Sequence, residues 1–510
     1  MDYLDLLTLP ETALVLTVLG LIFSEVAYSG ERLRLNQMTA LAGLGVAFIQ
    51  TLVCYQLLPA KLFAGTVVLD GISLFSRLFL IILSAMSILS MSGSLEVPSR
   101  RRSEFTILML GGTVASSLMT SSNNLMLMYL ALLLLGLLGA TLSSFGKESV
   151  LSTEAGFKYL LFSSLTAILY LFAAGVLFLH TGSADLNEIH RDLLVHPLSL
   201  GQNIMVFAFL FFVVSSFLGI FPMHFWLPDV LQGAPTPVSS FLSIVSRMSG
   251  FILGVRLYLS VFSQTGGEGG GWTSLGAIDW SSTLSVFATA SFLLGGLLSL
   301  RQSSAKRLVA YLIMVESTYL LLGMLVLDPL GIAAGLYSLI ITLFASLGVF
   351  YVLSFFRDHL GSDDLSDLRK ATRVSVPGVL ALVFFLICLV GLPPLPGFVG
   401  KFTLIGSVIQ SERYGLAAAA VAATAFSTVA VLRLAVILVG DFAETVRWTA
   451  LSAGESLGMA ASYSGNATSP GSARFRAILL VLLLPLVVLA FQSDWVLGWS
   501  LRSIRVFQLN

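Results

Sequence analysis

Residues 222–241 read PMHFWLPDVLQGAPTPVSSF and place four prolines, a histidine and an aspartate between two strongly apolar stretches. Proline has no backbone N–H and breaks helices, and a backbone group left unpaired in lipid is costly. A break at this depth persists only where protein or a water-filled cavity surrounds it. The stretch therefore predicts a membrane-spanning helix interrupted by Pro222, Pro228, Pro235 and Pro237, next to a polar cavity.

The composition of the whole chain also indicates a membrane protein. The 510 residues are 56% hydrophobic and 11% charged, and their mean hydropathy of +0.94 is too high for a water-soluble domain. Lys and Arg balance Asp and Glu at 27 each, so net charge does not favour a nucleic-acid partner. Cys54 and Cys388 lie in separate apolar segments and indicate neither a disulfide framework nor a metal site. The acidic start, MDYLDLLTLPE, predicts no cleaved signal peptide.

The apolar stretches predict an all-α polytopic membrane protein with about 14 transmembrane helices, each long enough to cross about 30 Å of hydrocarbon. They begin near residues 11, 38, 71, 104, 124, 156, 203, 237, 281, 308, 329, 375, 401, 415 and 476, with those at 375 and 401 forming one broken span. Loops after odd-numbered spans hold sixteen basic residues, and loops after even-numbered spans hold only Lys61, Arg191 and Arg413. The positive-inside rule then places both termini on the non-cytoplasmic side of the cell inner membrane, in preference to an organellar membrane.

A second break, GLPPLPGFVGK at residues 391–401, contains Pro393 and Pro394. Each break precedes a span that carries an arginine, Arg247 or Arg433. Two proline-interrupted segments in corresponding positions indicate a transporter built from inverted repeats, with its pathway at the breaks. The predicted domains are three N-terminal helices (residues 1–103), a first repeat (104–262), a second repeat (281–440), and a cytoplasmic loop with a C-terminal helix (441–510).

Six basic residues lie within predicted spans, where a charge is expensive and marks a functional site by default. They are Arg77, Lys158, Arg247, Arg256, Lys401 and Arg433. Arg77 and Arg256 have the alternative of snorkelling or of pairing locally. The other four lie beside breaks or among small residues, and we expect them to serve the translocation of an ion or solute.

Three motifs resemble a known family. HFWLPDVLQGAPTPVSSFLSIVSRMSGF (224–251), KRLVAYLIMVESTYLLLGM (306–324) and GLPPLPGFVGKFTL (391–404) are similar to the antiporter-like membrane subunits of respiratory complex I, which share ancestry with Mrp-type cation/proton antiporters. Within this family, DVLQGAPTPV and EAGFKYLLFSSLTAILYLFAAGVLF resemble the N subunits of NADH-quinone oxidoreductases. The resemblance runs from about residue 66 to 440.

The resemblance implies a subunit without a redox centre or metal, which couples quinone reduction elsewhere in the complex to proton translocation along a hydrophilic axis. NADH, FMN, iron-sulfur clusters and quinone are then expected in other subunits. The expected partners are other membrane-arm subunits and lipid, with no nucleic acid. Lys158 matches the family lysine of the sixth span, Lys401 the lysine at the second break nearest the exit, and His224 the first break. Arg247 takes the place of the eighth-span lysine. Glu316 stands where the family usually has histidine, and we expect it either to titrate as the central group or to pair with Lys401 or Lys158.

One charge pair of the family is missing from this sequence. Leu133 stands at the position of the fifth-span glutamate, and Phe217 at that of the seventh-span lysine. Losing one partner would strand a buried charge at a cost of about 3–5 kcal/mol, whereas replacing both by apolar residues is often tolerated. Arg247 cannot accept a proton because a guanidinium does not deprotonate in proteins. We therefore expect a degenerate first half-channel and a second one that is altered but polar.

Three functions remain open at this point. The first is a membrane-arm subunit of a complex I-type oxidoreductase, and the second is a structural spacer that keeps the fold without pumping. The third is an Mrp-type cation/proton antiporter, against which the missing charge pair counts.

At the first break, Asp229 is expected either to pair locally or to cap a helix.

Overall fold

The computed structural model describes residues 9–27, 33–147, 149–266, 271–275, 279–440 and 470–508. The predicted cytoplasmic loop that begins near residue 441 lies outside the described residues as far as residue 469. The described ranges are almost entirely helical.

Nineteen helices follow one another along the described chain. They are α1 (Pro10–Ala27), α2 (Leu33–Cys54), α3 (Gly71–Met91), α4 (Arg102–Ser121), α5 (Leu125–Ser143), α6 (Val150–Thr181), α7 (Leu186–Val195), α8 (Leu200–Leu218), α9 (Trp226–Gly233), α10 (Thr236–Gly254), α11 (Trp280–Ser299), α12 (Ala305–Leu325), α13 (Pro329–Leu360), α14 (Ala371–Val374), α15 (Val376–Val390), α16 (Pro396–Gln410), α17 (Tyr414–Val439), α18 (Pro470–Phe491) and α19 (Ser493–Gln508). Two short antiparallel strand pairs accompany them. They are β1 (Ala60–Leu62) with β2 (Val67–Leu69), and β3 (Ser263–Thr265) with β4 (Trp272–Ser274).

The helices confirm the all-α polytopic fold. Twelve helices of the described chain are long and apolar enough to cross a membrane, namely α1, α2, α3, α5, α6, α8, α10, α11, α12, α13, α17 and α18. Helix α4 is long enough but more polar, and α15 and α16 have 15 residues each and are therefore long enough only as a pair. These additions give the fourteen predicted crossings.

The two repeats have opposite orientations because each contains an odd number of crossings. The first repeat runs through α4, α5, α6, the broken pair α8–α9, and α10. The second runs through α11, α12, α13, the broken pair α15–α16, and α17. Each therefore has five crossings, so the second begins on the opposite side of the membrane from the first.

The centre of the molecule is formed by α10, α12 and α13. All residues of the spanning parts of α10 and α12 are buried, as are 89% of those of α13, whereas the corresponding share is only 22% for α1 and 33% for α6 and α17. A charged side chain on α10 or α12 is consequently far from lipid, and its partners must come from neighbouring helices.

Both broken helices end their first half in the same way. Gly219 closes α8 with φ +65°, and Gly391 closes α15 with φ +74°, a left-handed conformation that glycine adopts without steric cost. Pro222 lies in the first break, and Pro393 and Pro394 lie in the second. The two breaks therefore resemble each other in their backbone, as the corresponding positions of the prolines predicted.

Other prolines of the first break lie at the starts of the two helices that follow it. Pro228 lies in the first turn of α9, where its missing N–H has no intrahelical partner to lose. Pro235 precedes α10 and Pro237 lies in its first turn. The interruption therefore has two parts, one before α9 and one between α9 and α10.

Arg77 and Arg256 pair locally, which was one of the two alternatives for them. Arg77 Nε lies 2.7 Å from Glu11 Oε1 and ties α3 to α1. Arg256 lies 2.9 Å from Asp70 Oδ2, and Asp70 also accepts a 2.7 Å hydrogen bond from the Ser73 N–H at the start of α3. The first pair joins two of the N-terminal helices, and the second anchors the start of α3 to the end of the first repeat.

Candidate functional site

The second helix break holds a buried ion pair between α12 and α16. Lys401 Nζ lies 2.5 Å from Glu316 Oε1, and the two side chains are only 6% and 5% exposed. Removing two charges from water is expensive, and a buried ion pair is often no more stabilising than apolar residues of the same size. A function is therefore a better reason than stability for this pair.

The break itself supplies a further ligand for Lys401. Its ammonium group donates a 2.7 Å hydrogen bond to the carbonyl of Val390, the last residue of α15. Carbonyls at a helix C-terminus lack intrahelical partners and carry partial negative charge, so they favour a cation. A Cβ atom at Gly391 would lie 2.9 Å from Lys401 Cδ, so glycine also leaves room for the lysine.

Tyr319 lies on the other side of Lys401. The ammonium nitrogen is 4.7 Å from the centre of the Tyr319 ring, within the range of a cation–π interaction. The Tyr319 hydroxyl donates to the Ala420 carbonyl at 2.9 Å and lies 2.6 Å from Thr424 Oγ1. The tyrosine thus connects the ion pair to α17.

Arg247 supplies a fixed positive charge close to this pair. Its Nε donates to the Ser243 carbonyl at 2.6 Å and its Nη2 to Ser346 Oγ at 3.1 Å. The arginine is 1% exposed, its charge acts on Glu316, and its Nη1 has no hydrogen-bond partner among the described residues. Glu316 therefore lies between one permanent cation and one lysine, and the structure selects Lys401 rather than Lys158 as its partner.

The first break holds an apolar cavity where the family has its charge pair. Phe217, Trp226 and Leu132 line this cavity, together with five residues that carry hydroxyl groups, namely Tyr159, Ser163, Thr166, Ser216 and Ser246. Among the described residues, no carboxylate, lysine, arginine or histidine lines it. The residue of α5 beside Phe217 is Leu132, whereas Leu133 is 40% exposed on the helix surface. Leu133 and Phe217 therefore do not meet in this cavity, and the neighbouring Leu132, about 100° away around the helix, lines it instead.

His224 lies in the first break between two aromatic rings. Its ring centre is 4.2 Å from that of Phe225 and 6.1 Å from that of Phe221. The side chain is 7% exposed, and its Nδ1 has no hydrogen-bond partner among the described residues. The structure therefore does not join His224 to the Glu316–Lys401 pair.

Lys158 lies in a different cluster, close to the molecular surface. It contacts Glu154 at 2.6 Å and Asp229 within hydrogen-bonding distance, and Asp229 also lies 2.7 Å from Arg307. These side chains are between 27% and 50% exposed. Asp229 thus pairs locally instead of capping α9.

Arg433, another basic residue within a predicted span, is exposed on α17 and donates to the Leu300 carbonyl at 2.6 Å.

Sequence reasoning missed a cluster around Glu96, in the turn between α3 and α4. Glu96 Oε1 lies 2.7 Å from Arg357 and 3.7 Å from Lys306, and its Oε2 accepts a 2.7 Å hydrogen bond from the Thr236 N–H. Burial alone would raise the pKa of Glu96, but these two cations and the N–H hold it below its usual value. The sequence gives no sign that this loop glutamate is buried in a charge cluster, because its partners are 140 to 261 residues away along the chain.

Comparisons with known proteins match the chain to one family. Residues 122–427 match the family described as NADH:quinone oxidoreductase/Mrp antiporter, transmembrane region. NADH-quinone oxidoreductase subunit N 2 of Chloroherpeton thalassium is 32% identical over 359 residues, covering 69% of this chain and 68% of that protein. NAD(P)H-quinone oxidoreductase subunit 2 of Thermosynechococcus vestitus is 31% identical over 411 residues, covering 80% of this chain and 77% of that protein.

Two solved structures have the same fold. A chain of respiratory complex I from Thermus thermophilus with bound aureothin superposes with a TM-score of 0.74 at 22% identity, covering 96% of this chain and 99% of that chain. A chain of the Mrp complex from a Dietzia species superposes with a TM-score of 0.76 at 16% identity, covering 98% and 97%. The fold is thus shared by chains of both kinds of complex.

Proposed function

The chain belongs to the NADH:quinone oxidoreductase/Mrp antiporter transmembrane family, and from this premise we propose that it is a membrane-arm subunit of a complex I-type oxidoreductase. In that role it couples quinone reduction in other subunits to proton translocation, and carries out no redox chemistry itself. The relatives that are more than 30% identical and named as quinone oxidoreductase subunits N or 2 support this assignment.

The observation that carries the proposal is the buried Glu316–Lys401 pair at the second break. A carboxylate and an ammonium at 2.5 Å can exchange one proton, which leaves a neutral carboxylic acid beside a neutral amine. The neutral pair escapes the cost of buried charge, whereas the ionised pair gains Coulomb attraction, so nearby charges decide between them. The proton then belongs to the pair, and a change in the surrounding charge can load or release it.

The first half-channel is degenerate in this proposal. Phe217 and Leu132 occupy the cavity where a titratable pair would stand, and Arg247 supplies a charge that does not titrate. Proton transfer is assigned to the second half of the chain alone. The apolar cavity favours one alternative, a structural spacer that has also lost transfer through Lys401.

A stand-alone Mrp-type antiporter is a weaker alternative. The likeness to the Mrp chain rests on the fold at 16% identity, whereas the quinone oxidoreductase subunits are 31–32% identical. Co-purification after gentle solubilisation distinguishes the two. We expect other membrane-arm subunits to accompany the chain, together with subunits that hold NADH, FMN, iron-sulfur clusters and quinone.

The proposed location is the cell inner membrane with both termini on the non-cytoplasmic side. The support is the sixteen-to-three asymmetry of basic residues between alternate loops. A single cysteine placed next to Arg101 should react with impermeant thiol reagents only from the cytoplasmic side. If the reagent labels this cysteine in intact cells, the proposed orientation is wrong and the termini lie on the cytoplasmic side.

Replacement of Lys401 by alanine tests the function itself. In Lys401→Ala complex that is fully assembled, quinone reduction should continue while fewer protons move per pair of electrons. Glu316 can become neutral by binding a proton, so assembly should survive the change. An unchanged proton stoichiometry in the assembled variant would reject the proposal and favour the spacer.

A further inference from the structure

The Glu96 cluster touches the start of a polar stripe on α10. Glu96 accepts the Thr236 N–H, and Arg357 in the same cluster has a side chain that is 34% exposed, so the cluster reaches the surface. Thr236 begins a series at residues 236, 240, 243 and 247, which a helix places on one face within about 60°.

Two hydroxyls and the arginine of the α10 stripe donate to backbone carbonyls of α10. Ser240 Oγ donates to the Pro237 carbonyl and Ser243 Oγ to the Ser240 carbonyl, both at 2.9 Å. Arg247 in turn donates to the Ser243 carbonyl. Eleven residues separate Thr236 from Arg247, a rise of about 16 Å and hence roughly half of the hydrocarbon thickness.

A second stripe continues from Arg247 along α13. Arg247 donates to Ser346 Oγ, and Thr342 and Ser338 follow on the same face at intervals of four residues. Ser338 lies against the backbone of Gly400, because a Cβ atom there would be 2.4 Å from Ser338 Oγ. This places the end of the α13 stripe next to Lys401.

Buried polar atoms along both stripes lack partners in the protein. Thr236 Oγ1, Arg247 Nη1 and Ser338 Oγ make no hydrogen bond with any described residue, and their residues are 0%, 1% and 7% exposed. Buried polar groups are almost always satisfied by protein or by water. Three such atoms at the beginning, middle and end of one polar track therefore point to a hydrated connection.

We infer that protons reach the Glu316–Lys401 pair from the Glu96 cluster, along the hydroxyl stripes of α10 and α13 and past Arg247, and that the apolar cavity at the first break is bypassed. The inference rests on the proposed function and names the entry route to the same site. Each hydroxyl or water accepts a proton on oxygen as it releases its own to the next group, so one proton leaves the aqueous side and one arrives at the pair. Arg247 repels the passing proton and is not itself protonated or deprotonated.

The first cavity is poorly suited to the same task. Thr166 Oγ1 lies 2.7 Å from both the Phe162 carbonyl and Ser216 Oγ, and among the described residues no fully buried side-chain polar atom of this cavity lining lacks a hydrogen-bond partner. Leu132, Phe162, Phe217 and Trp226 give the cavity a mostly apolar wall. An apolar cavity of this kind tends to stay dry.

Three threonine replacements test the route in the intact complex. Thr236→Val with Thr342→Val removes two hydroxyls of the stripes while keeping side-chain shape. Protons moved per electron pair should fall toward the value of Lys401→Ala, while quinone reduction continues. Thr166→Val is the matched control in the first cavity and should leave the proton stoichiometry at the wild-type value.

The outcomes separate the route from the function. If Lys401→Ala lowers the stoichiometry but the double valine variant does not, or if Thr166→Val lowers it as much as the double variant, the route is overturned and the function stands. If Lys401→Ala has no effect, the proposed function fails and the route fails with it.

Cysteine accessibility in the assembled complex replaces this test if the double variant does not assemble. A small water-soluble thiol reagent should label Ser243→Cys faster than Thr166→Cys, since only the former lines the hydrated stripe. Equal or slower labelling of Ser243→Cys would overturn the route. Native Cys54 and Cys388 are both buried, which keeps the background low.

Discussion

The two helix breaks have nearly the same backbone and opposite interiors. Each follows a glycine with positive φ and contains proline, and each interrupts a helix in the corresponding crossing of its repeat. The first encloses Phe217 beside Leu132, and the second encloses Lys401 paired with Glu316. The difference teaches that the break is a property of the fold, whereas transfer chemistry depends on the side chains placed inside it.

The contrast also explains why the missing charge pair is tolerated. A break with no buried charge needs no countercharge, so apolar residues at both positions leave nothing unpaired. At the second break, Lys401 depends on Glu316 for its countercharge, and the charge of buried Arg247 also acts on Glu316. Changes there should cost much more than changes at the first break.

Glu316→Gln should have the largest effect on stability. The substitution leaves Lys401 buried without its countercharge, at an expected cost of about 3–5 kcal/mol. Glu316→Gln with Lys401→Gln should be less harmful than Glu316→Gln alone because one uncompensated charge is removed. The yield and melting temperature of purified complex measure both. A double variant as unstable as the sum of the two singles would contradict the pairing.

Glu96→Gln should have the second-largest effect and should depend on pH. Hydrogen bonds to a charged group contribute about 1.5–3 kcal/mol, and the amide keeps only the bond to Thr236. The pKa of Glu96 is lowered in the folded protein, so its contribution is complete above the ordinary glutamate value of about 4.3 and is lost as pH falls through the folded value.

Melting curves of the wild type and Glu96→Gln at a series of pH values check this dependence. The difference between them should be greatest near neutral pH and shrink on acidification. The carboxylate of Asp358 accepts the Leu95 N–H in the same turn and is present in both proteins, so its contribution cancels in the comparison. A difference that grows on acidification would contradict the assigned charge.

Charges introduced at the first break should reveal which residues face each other. Leu132→Glu or Phe217→Lys alone buries an unpaired charge and should reduce assembly. The two together should be better tolerated than their sum, with a coupling of about 0.5–3 kcal/mol. Leu133→Glu with Phe217→Lys is the control, since Leu133 is on the surface of α5. Coupling of Phe217 with Leu133 but not with Leu132 would mean that Leu133 is the residue that faces Phe217.

Asp229→Asn should have the smallest effect. Its ion pairs with Lys158 and Arg307 are about a third exposed, and pairs of that kind contribute about 0–1 kcal/mol. Melting temperature and proton stoichiometry should both stay close to the wild type. A loss of proton movement as large as that of Lys401→Ala would return Lys158 to the transfer route.

Features that depend on sequence order were predictable. The prolines located both breaks, and the apolar stretches with the alternating basic loops gave the number of crossings. Glu316 was recognised as unusual, and its pairing with Lys401 was one of the alternatives considered. The breaks and crossings come from residue type and spacing, which report directly on helix length and interruption, whereas Glu316 was singled out by the resemblance to the family.

Features that depend on helix rotation were not predictable. The choice between Leu132 and Leu133 turns on the packing of α5 against α4 and α6, which one apolar run does not specify. The same is true of Lys158, whose helix is only one-third buried, so that it faces the surface cluster. Glu96 was missed because its partners come from α10, α12 and α13.

The central claim is that proton transfer belongs to the second break and not to the first. Its most direct test is the number of protons moved per electron pair in Lys401→Ala and Phe217→Leu complexes, compared at equal assembly and equal quinone reduction. The account predicts a lower number in Lys401→Ala and the wild-type number in Phe217→Leu. A wild-type number in Lys401→Ala, or an equal loss in both variants, would contradict it.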